Sequence, residues 1–288
     1  MNKFHSKSIN ITIVGLGVIG GSYGLALRNL GYKNIYGIDS DDGTIEKGKK
    51  IGIIKEGFKN GKDIFPKSDL IILAIYPTKM IEFFKDNVKY INKDYTIVTD
   101  VGGIKENIIS QIIDILPENV DFIFGHPMAG REKKGIDFAS EEVFKGANYI
   151  ITPLKRNKPE NIDFLEKLVL DMGFGQVKKI DASLHDKIIA FTSQLTHVIA
   201  VSLMNSEREE YNIKSFIGDS FRDLTRIAKI NEDLWTELFL QNKSNLIESI
   251  EEFQKELIHL KNMILKENKE EIKEYLKLST KKREKLDK

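Results

Sequence analysis

Three sets of residues in this chain have the types and spacing to do chemistry. The first is Gly15-Leu16-Gly17-Val18-Ile19-Gly20, which follows a β-branched run and opens a helical pattern. In such a loop Gly15 makes the tight turn, Gly17 lets the backbone approach a pyrophosphate, and Gly20 lets helix and strand pack closely. The helix N-terminus then offers amide donors and the positive end of its dipole. Asp39 lies 19 residues beyond Gly20, at the end of the next strand. Its carboxylate would accept from an adenosine ribose and repel a 2′-phosphate, and Ser40 beside it supplies no cation, so NAD is favoured over NADP. A glycine turn serving packing alone is the competing reading.

The second set is Gly125-His126-Pro127-Met128-Ala129-Gly130-Arg131-Glu132, together with Asp100-Val101-Gly102-Gly103-Ile104-Lys105. Each follows a strand, and the crevice of an open parallel sheet lies at the carboxyl ends of its strands. An imidazole at position 126 could take a hydroxyl proton during hydride removal. A structural histidine satisfying a loop carbonyl is the alternative. The third set is Arg222 and Arg226, which fall on one face if their segment is helical and could grip a dicarboxylate. The alternative there is a surface network supported by Asp223. By position alone Glu132 reads as a surface charge, His197 as a satisfied core histidine and Trp235 as packing. His5, His185 and His259 are assigned no chemistry.

The elements that must carry these residues follow from periodicity. Apolar, β-branched runs at 9–14, 35–39, 70–74, 96–100, 122–124, 149–152 and 176–180 alternate with helical patterns. Several are apolar throughout, as strands covered on both faces are. This predicts a doubly wound α/β domain over residues 1–181. From residue 182 to 288 the apolar positions keep helical spacing and no Pro interrupts them, which predicts an all-helical second domain. Ser183 with Asp186 is the expected cap of its first helix. Residues 21–30 are expected as the helix after the glycine loop, stopped by Gly31.

Composition narrows the function. The 288 residues carry 44 Lys plus Arg against 43 Asp plus Glu, a net charge of +1, which leaves no whole-chain footprint for nucleic acid or an anionic membrane. With 0 Cys there are no disulfides, thiolate nucleophiles or Cys-ligated metals. No apolar run is expected to reach the roughly 18 residues that spanning a bilayer needs. A cytoplasmic protein with a small-molecule substrate is the expectation, with no nucleic acid, membrane or metal partner.

Taken in order along the chain, these segments resemble the prephenate dehydrogenase family, including its arogenate-using relatives. The matching residues are Gly15 to Gly20 with Asp39, Asp100 to Lys105, Gly125 to Gly130 with Glu132, Ser193-Gln194-Leu195-Thr196-His197, and Arg222 to Ala228 with Trp235. The resemblance implies a Rossmann-type domain, a helical domain that makes a homodimer, and NAD-dependent oxidative decarboxylation of prephenate to 4-hydroxyphenylpyruvate in tyrosine biosynthesis. It assigns His126 the proton of the ring C4 hydroxyl and Arg226 the ring carboxylate. His197, Glu132 and Arg222 would shape the pocket, and Trp235 would reach the partner subunit's site. Cofactor contacts fall to Gly15, Gly17, Val18, Ile19 and Gly20 of the loop, and to Asp39, Ala74, Asp100 and Gly103 at later strand ends.

The sequence departs from that family at Gly103, where Ser is usual, at Gln194 and Thr196, where His and Pro are usual, and at Ile230, commonly polar. Prephenate and arogenate differ only in a keto or amino group, and no residue chooses between them. Two further readings stay open: another dehydrogenase of this architecture acting on a hydroxy acid, and a non-catalytic NAD-sensing protein.

Overall fold

The computed structural model describes Phe4, residues 6–130 and residues 133–287. Glu132, one of the expected site residues, and His5 lie outside them. Eight strands form one sheet: β1 (Ile11–Val14), β2 (Ile35–Ile38), β3 (Glu56–Phe58), β4 (Leu70–Leu73), β5 (Thr96–Asp100), β6 (Val120–Pro127), β7 (Asn148–Thr152) and β8 (Gln176–Lys179). Their order is β3-β2-β1-β4-β5-β6-β7-β8. The pairs from β3 to β6 are parallel, β7 runs antiparallel to β6, and β8 parallel to β7.

The order reverses between β1 and β4, so a crevice opens there at the carboxyl ends. β1 and β4 are buried at every position because helices cover both faces. On one face Ile13, Ile72 and Ile123 join the core with Leu27 of α1 (Val18–Asn29) and Leu168 of α5 (Pro159–Asp171). On the other, Leu73, Phe122 and Phe124 pack with Phe84 of α3 (Pro77–Asn87) and Ile108 of α4 (Glu106–Ile112).

Three boundaries differ from the sequence expectation. α1 begins at Val18, inside the glycine motif, because Gly17 serves as its N-cap. β3 has no apolar run to announce it; Gly57 is there because a Cβ would come within 2.2 Å of Ile45 on α2 (Asp42–Lys50). β6 runs on to Pro127, since its last four residues pair with β7 rather than with β5. His126 is therefore held inside a strand, opposite Ile150, and not in a loop.

Strands end at β8, and the rest is helical, as the periodicity predicts. α6 (Ala182–Ile189), a π-type turn at residues 190–194 and α7 (Leu195–Asn205) make one continuous helical run. The expected cap is corrected: Asp181, not Ser183 with Asp186, accepts from the Leu184 amide at 3.0 Å. Asp186 lies one turn further in and is buried. The expectation that no apolar run has the length of a membrane span is corrected here: residues 182–205 are long and apolar enough for one by length and composition, a property shared by core helices of soluble proteins. α8 (Asp219–Thr225) and α9 (Glu232–Gln241) follow.

By compactness the chain divides into Met1–Asn242 and Lys243–Lys288, so α6 to α9 group with the sheet. The second unit is a helical hairpin of α10 (Lys243–Leu265) and α11 (Lys269–Glu284), joined by Tyr275 donating to Glu256 at 2.6 Å. It leaves Phe253, Leu257, Ile258 and Leu265 exposed.

Close packing at the glycine loop gives a direct test. A Cβ on Gly20 would lie 1.8 Å from the Gly15 carbonyl oxygen, and a backbone atom cannot move aside cheaply. Gly20→Ala is expected to destabilise the protein by about 1–3 kcal/mol, read from the urea midpoint; an unchanged midpoint would show that the loop is not packed this way.

Candidate active site

The glycine loop is shaped for an anion. Gly15 has φ +86, and a Cβ there would come within 2.5 Å of the Ala74 carbonyl at the end of β4, so the loop hugs the neighbouring strand. Gly17 has nothing within 4 Å of its own Cβ position. Its open space lies at the start of α1, whose first turn carries no acidic side chain and whose N-cap makes no side-chain bond. The amides of Val18, Ile19 and Gly20 begin the helix and so have no carbonyl a turn before them within it. Asp39 follows β2, accepts from the Leu16 amide at 2.8 Å and from the Asp41 amide at 3.0 Å, and stays half-buried beside the loop. These residues fit the pyrophosphate and ribose of a dinucleotide. Sequence reading found no cation here, yet Lys59, just past β3, donates to the Ser40 carbonyl at 2.9 Å. Its ammonium also pairs with Asp42 at 2.7 Å, so its charge is balanced locally.

Along the same edge of the sheet, β5 ends in a buried charge network. Asp100 is wholly buried; its Oδ2 accepts from Lys105 Nζ at 2.6 Å and from the Gly102 amide at 2.8 Å, and its Oδ1 from the Gly125 amide at 3.1 Å. Every one of those bonds is internal, so the Asp100 carboxylate does not face a cofactor; it holds the 100–105 loop. Burial draws the Lys105 pKa below its ordinary value, with Asp100 opposing. Removing one partner of such a pair strands a buried charge, at a cost of about 3–5 kcal/mol.

His126 stands three residues beyond the last β6 residue paired with β5, on the face that carries Phe122 and Phe124. It is half-buried. Its Nδ1 lies 2.9 Å from Nε2 of His185, and Nδ1 of His185 lies 2.7 Å from Asp186 Oδ1. Asp186 in turn accepts from the amides of Lys105 at 2.8 Å and Glu106 at 2.9 Å, which start α4. Burial pushes the His126 pKa well below its ordinary value, and His185 and the Lys105 cation add to the effect. His185 is also lowered, first by burial, with Asp186 opposing. The His126 Nε2 points toward Gly103: a Cβ at that glycine would sit 3.7 Å from Nε2 and 3.4 Å from Leu238 Cδ2 of α9.

The helices form the other wall. α9 docks on α3 through Glu237, which accepts from the Thr78 amide at 3.0 Å. Gln194 is buried and bridges two elements, donating to the Leu238 carbonyl at 2.9 Å and accepting from Asn242 at 2.8 Å. His197 Nδ1 donates to the Ser193 carbonyl at 2.9 Å, and its ring stacks on Trp235 with centroids 3.6 Å apart. Trp235 thus meets its own chain's His197. Arg222 and Arg226 do not share one regular helix: α8 ends at Thr225 and Arg226 begins a 3-10 turn. Arg222 is exposed and pairs with Asp219 at 2.9 Å, not with Asp223. Arg226 is exposed on the turn that packs against α7, the helix bearing His197.

Residues 23–178 match the sequence profile of the prephenate dehydrogenase nucleotide-binding domain, and residues 181–278 that of its dimerization domain. The chain belongs to the prephenate dehydrogenase family. It is 30% identical to a prephenate dehydrogenase of Lactococcus lactis, over 96% of this chain and 77% of that one. It is similar to the crystal structure of prephenate dehydrogenase from Aquifex aeolicus in complex with hydroxyphenyl propionate and NAD+, with 33% identity, TM-score 0.88 and coverage of 98% and 99%. Synechocystis arogenate dehydrogenase matches with 25% identity, TM-score 0.82 and coverage of 96% and 99%. The family fold and its oxidoreductase class agree with the sheet, the glycine loop and the helical half.

Sequence reading missed His185 and Asp186. The only local signal was their adjacency, and near a helix start Asp186 reads first as part of a cap, with His185 given no chemistry. Gly103 leaves the site a testable opening, since a Cβ there would meet only contacts of ordinary van der Waals length. Gly103→Ser is expected to fold with an unchanged melting temperature and to raise kcat by up to about tenfold, the worth of one neutral hydrogen bond. A fall of more than a hundredfold, measured as NADH formation at 340 nm, would mean that the space beside Nε2 is filled in the reaction.

Proposed function

We propose that the protein catalyses the NAD-dependent oxidative decarboxylation of prephenate to 4-hydroxyphenylpyruvate, on the route to tyrosine. The observation that carries this reading is a depressed, half-buried imidazole whose Nε2 borders an open glycine, at the same sheet edge as a dinucleotide loop. When bound, the nicotinamide supplies the hydride acceptor; in the Aquifex aeolicus relative NAD+ is present in the crystal. Gly15, Gly17 and the amides of Val18, Ile19 and Gly20 would hold its pyrophosphate, Asp39 its ribose, and the backbone at Ala74 and Gly103 would border its nicotinamide end.

On this reading His126 Nε2 takes the proton of the ring C4 hydroxyl. Loss of the ring carboxylate as carbon dioxide leaves an aromatic product, so the protein need only orient the substrate, accept one proton and hold two carboxylates. Arg226 would hold the ring carboxylate. Arg222, His197 and Glu132 would shape the rest of the pocket, with Trp235 fixing the His197 ring or meeting the partner subunit's site. The likeness to an arogenate dehydrogenase supports arogenate as the second candidate substrate. A homodimer through the helical half is part of the same proposal, supported by the dimerization-domain match and by the exposed apolar side chains of α10. A cytoplasmic location goes with a soluble substrate and NAD.

The deciding assay offers NAD with prephenate, with arogenate and with simple hydroxy acids in separate cuvettes. Turnover of hydroxy acids alone would replace this reading with another dehydrogenase, and NAD binding without any turnover with a sensor. His126→Asn is expected to lower kcat by about 10²- to 10⁴-fold with little change in KM. Arg226→Ala should instead raise KM about 10- to 100-fold, the worth of a charged hydrogen bond. The pH profile has a definite sign: a base is active when neutral, and the depressed pKa of His126 keeps it neutral to lower pH. The acid limb of kcat/KM should therefore fall below pH 6.5, the ordinary histidine value; a limb centred above it would remove His126 from the role.

A further inference from the structure

We propose, resting on the reading of His126 as the base, that His185 and Asp186 are positioning residues for the reaction: they hold His126 in the Nδ1–H tautomer and stabilise the imidazolium it becomes. Neither touches the site opening, and His185 is completely buried. Their effect passes through one ring.

The proton assignment follows from the donors on Asp186. Its Oδ2 accepts from the Glu106 amide at 2.9 Å, and its Oδ1 from the Lys105 amide at 2.8 Å and from His185 Nδ1 at 2.7 Å. Both Asp186 oxygens face backbone N–H groups that can only donate, so the carboxylate serves there as acceptor and the third contact is read with the hydrogen on His185 Nδ1. Burial and the Lys105 cation keep His185 neutral, which makes its Nε2 an acceptor. The 2.9 Å contact to His126 Nδ1 then needs its proton from His126. A neutral His126 that donates from Nδ1 has its lone pair on Nε2, the nitrogen beside Gly103.

The groups around His126 agree with this assignment. From β5 and its loop come Asp100 and Lys105, joined as an ion pair at 2.6 Å. α6 brings His185 and Asp186; on the opposite face of the sheet β7 sets Tyr149 against Gly125, and burial raises its hydroxyl to about 12, so it stays neutral. From α9 comes the apolar Leu238. Among the described residues Asp186 is thus the carboxylate linked to His126 through a histidine. In the step itself the substrate O–H bond breaks and an N–H bond forms on Nε2. The positive charge then lies on His126, whose Nδ1–H still donates to His185, and the Asp186 carboxylate supplies the opposite charge one ring away. The same logic orients the histidine of a Ser-His-Asp triad, here with a second imidazole interposed.

The first test needs no turnover. Protein labelled with ¹⁵N-histidine is examined without ligands by long-range ¹H–¹⁵N spectra at pH 7.5, with His126→Asn and His185→Gln assigning the two rings. Both rings are expected as neutral Nδ1–H tautomers. A His126 found as the Nε2–H tautomer overturns the proposal whether or not the protein is an active dehydrogenase. The second test compares His185→Met, which has no acceptor for His126 Nδ1, with His185→Gln, whose carbonyl can accept from it while its amide donates to Asp186. His185→Met should lose about 10²- to 10⁴-fold in kcat with KM within about threefold, and His185→Gln should recover at least about tenfold of that loss. Full kcat in His185→Met, or equal loss in both variants, rejects the positioning role. If the unaltered protein turns over none of the cyclohexadienyl acids, the proposed activity fails, while the tautomer measurement still decides whether this pair orients His126. Should His185→Met not fold, His185→Gln and the spectrum of the unaltered protein decide between the two outcomes.

Discussion

One buried carboxylate ties the sheet to the helices that follow it. Asp186 belongs to α6, yet both its oxygens accept from amides at the start of α4. It also accepts from its neighbour His185, and its own carbonyl accepts from Asn242 at 2.9 Å. Hydrogen bonds to a charged group contribute about 1.5–3 kcal/mol each, and the helix N-terminus adds its dipole. Because the amides belong to the loop that carries Gly102 and Gly103, this anchor also sets how that loop stands against His126.

The same region holds an ion pair, Asp100 with Lys105, at no exposure at all. Burying charges is costly unless each is paired and hydrogen-bonded, and here every one is. Asp100 meets two amides as well as the ammonium, and Lys105 Nζ also donates to the Gly102 carbonyl at 2.8 Å. A dry network of this kind has few alternative arrangements, so it holds the strand ends rigidly. Burial depresses the pKa of both imidazoles, and the Lys105 cation adds to it, which favours a neutral His126. Structure and proton chemistry thus rest on the same residues.

Much of this was legible in particular segments. The apolar runs at β1 and β4 and the helical spacing after residue 181 gave the fold class, because a strand covered on both faces has to be apolar throughout. The glycine loop and Asp39 were readable because backbone sterics demand those residue types at that spacing. His126 stood out through its neighbours, although its strand extends further than its own composition suggests; the pairing with β7 lengthens it. β3 was not legible, since three residues containing a glycine carry no period. Gln194 departs from the usual histidine of the family, and its purpose, bridging Leu238 and Asn242, emerges only where those helices meet.

From the order of residues alone came the doubly wound sheet, the nucleotide loop, the candidate base at 126 and the family, since each depends on local period or on fixed spacing along the chain. Tertiary structure alone decided that Asp186 leaves the cap to Asp181 and reaches back to α4, that Asp100 turns inward to Lys105, and that His185 stands behind His126. The contacts of Asp186 with α4 and of His185 with His126 join groups 59 to 81 residues apart, and the Asp100 carboxylate also reaches across to the Gly125 amide. Hydrogen bonds over such separations are set by how elements pack and which charges must be buried together, and no local pattern in a chain encodes that.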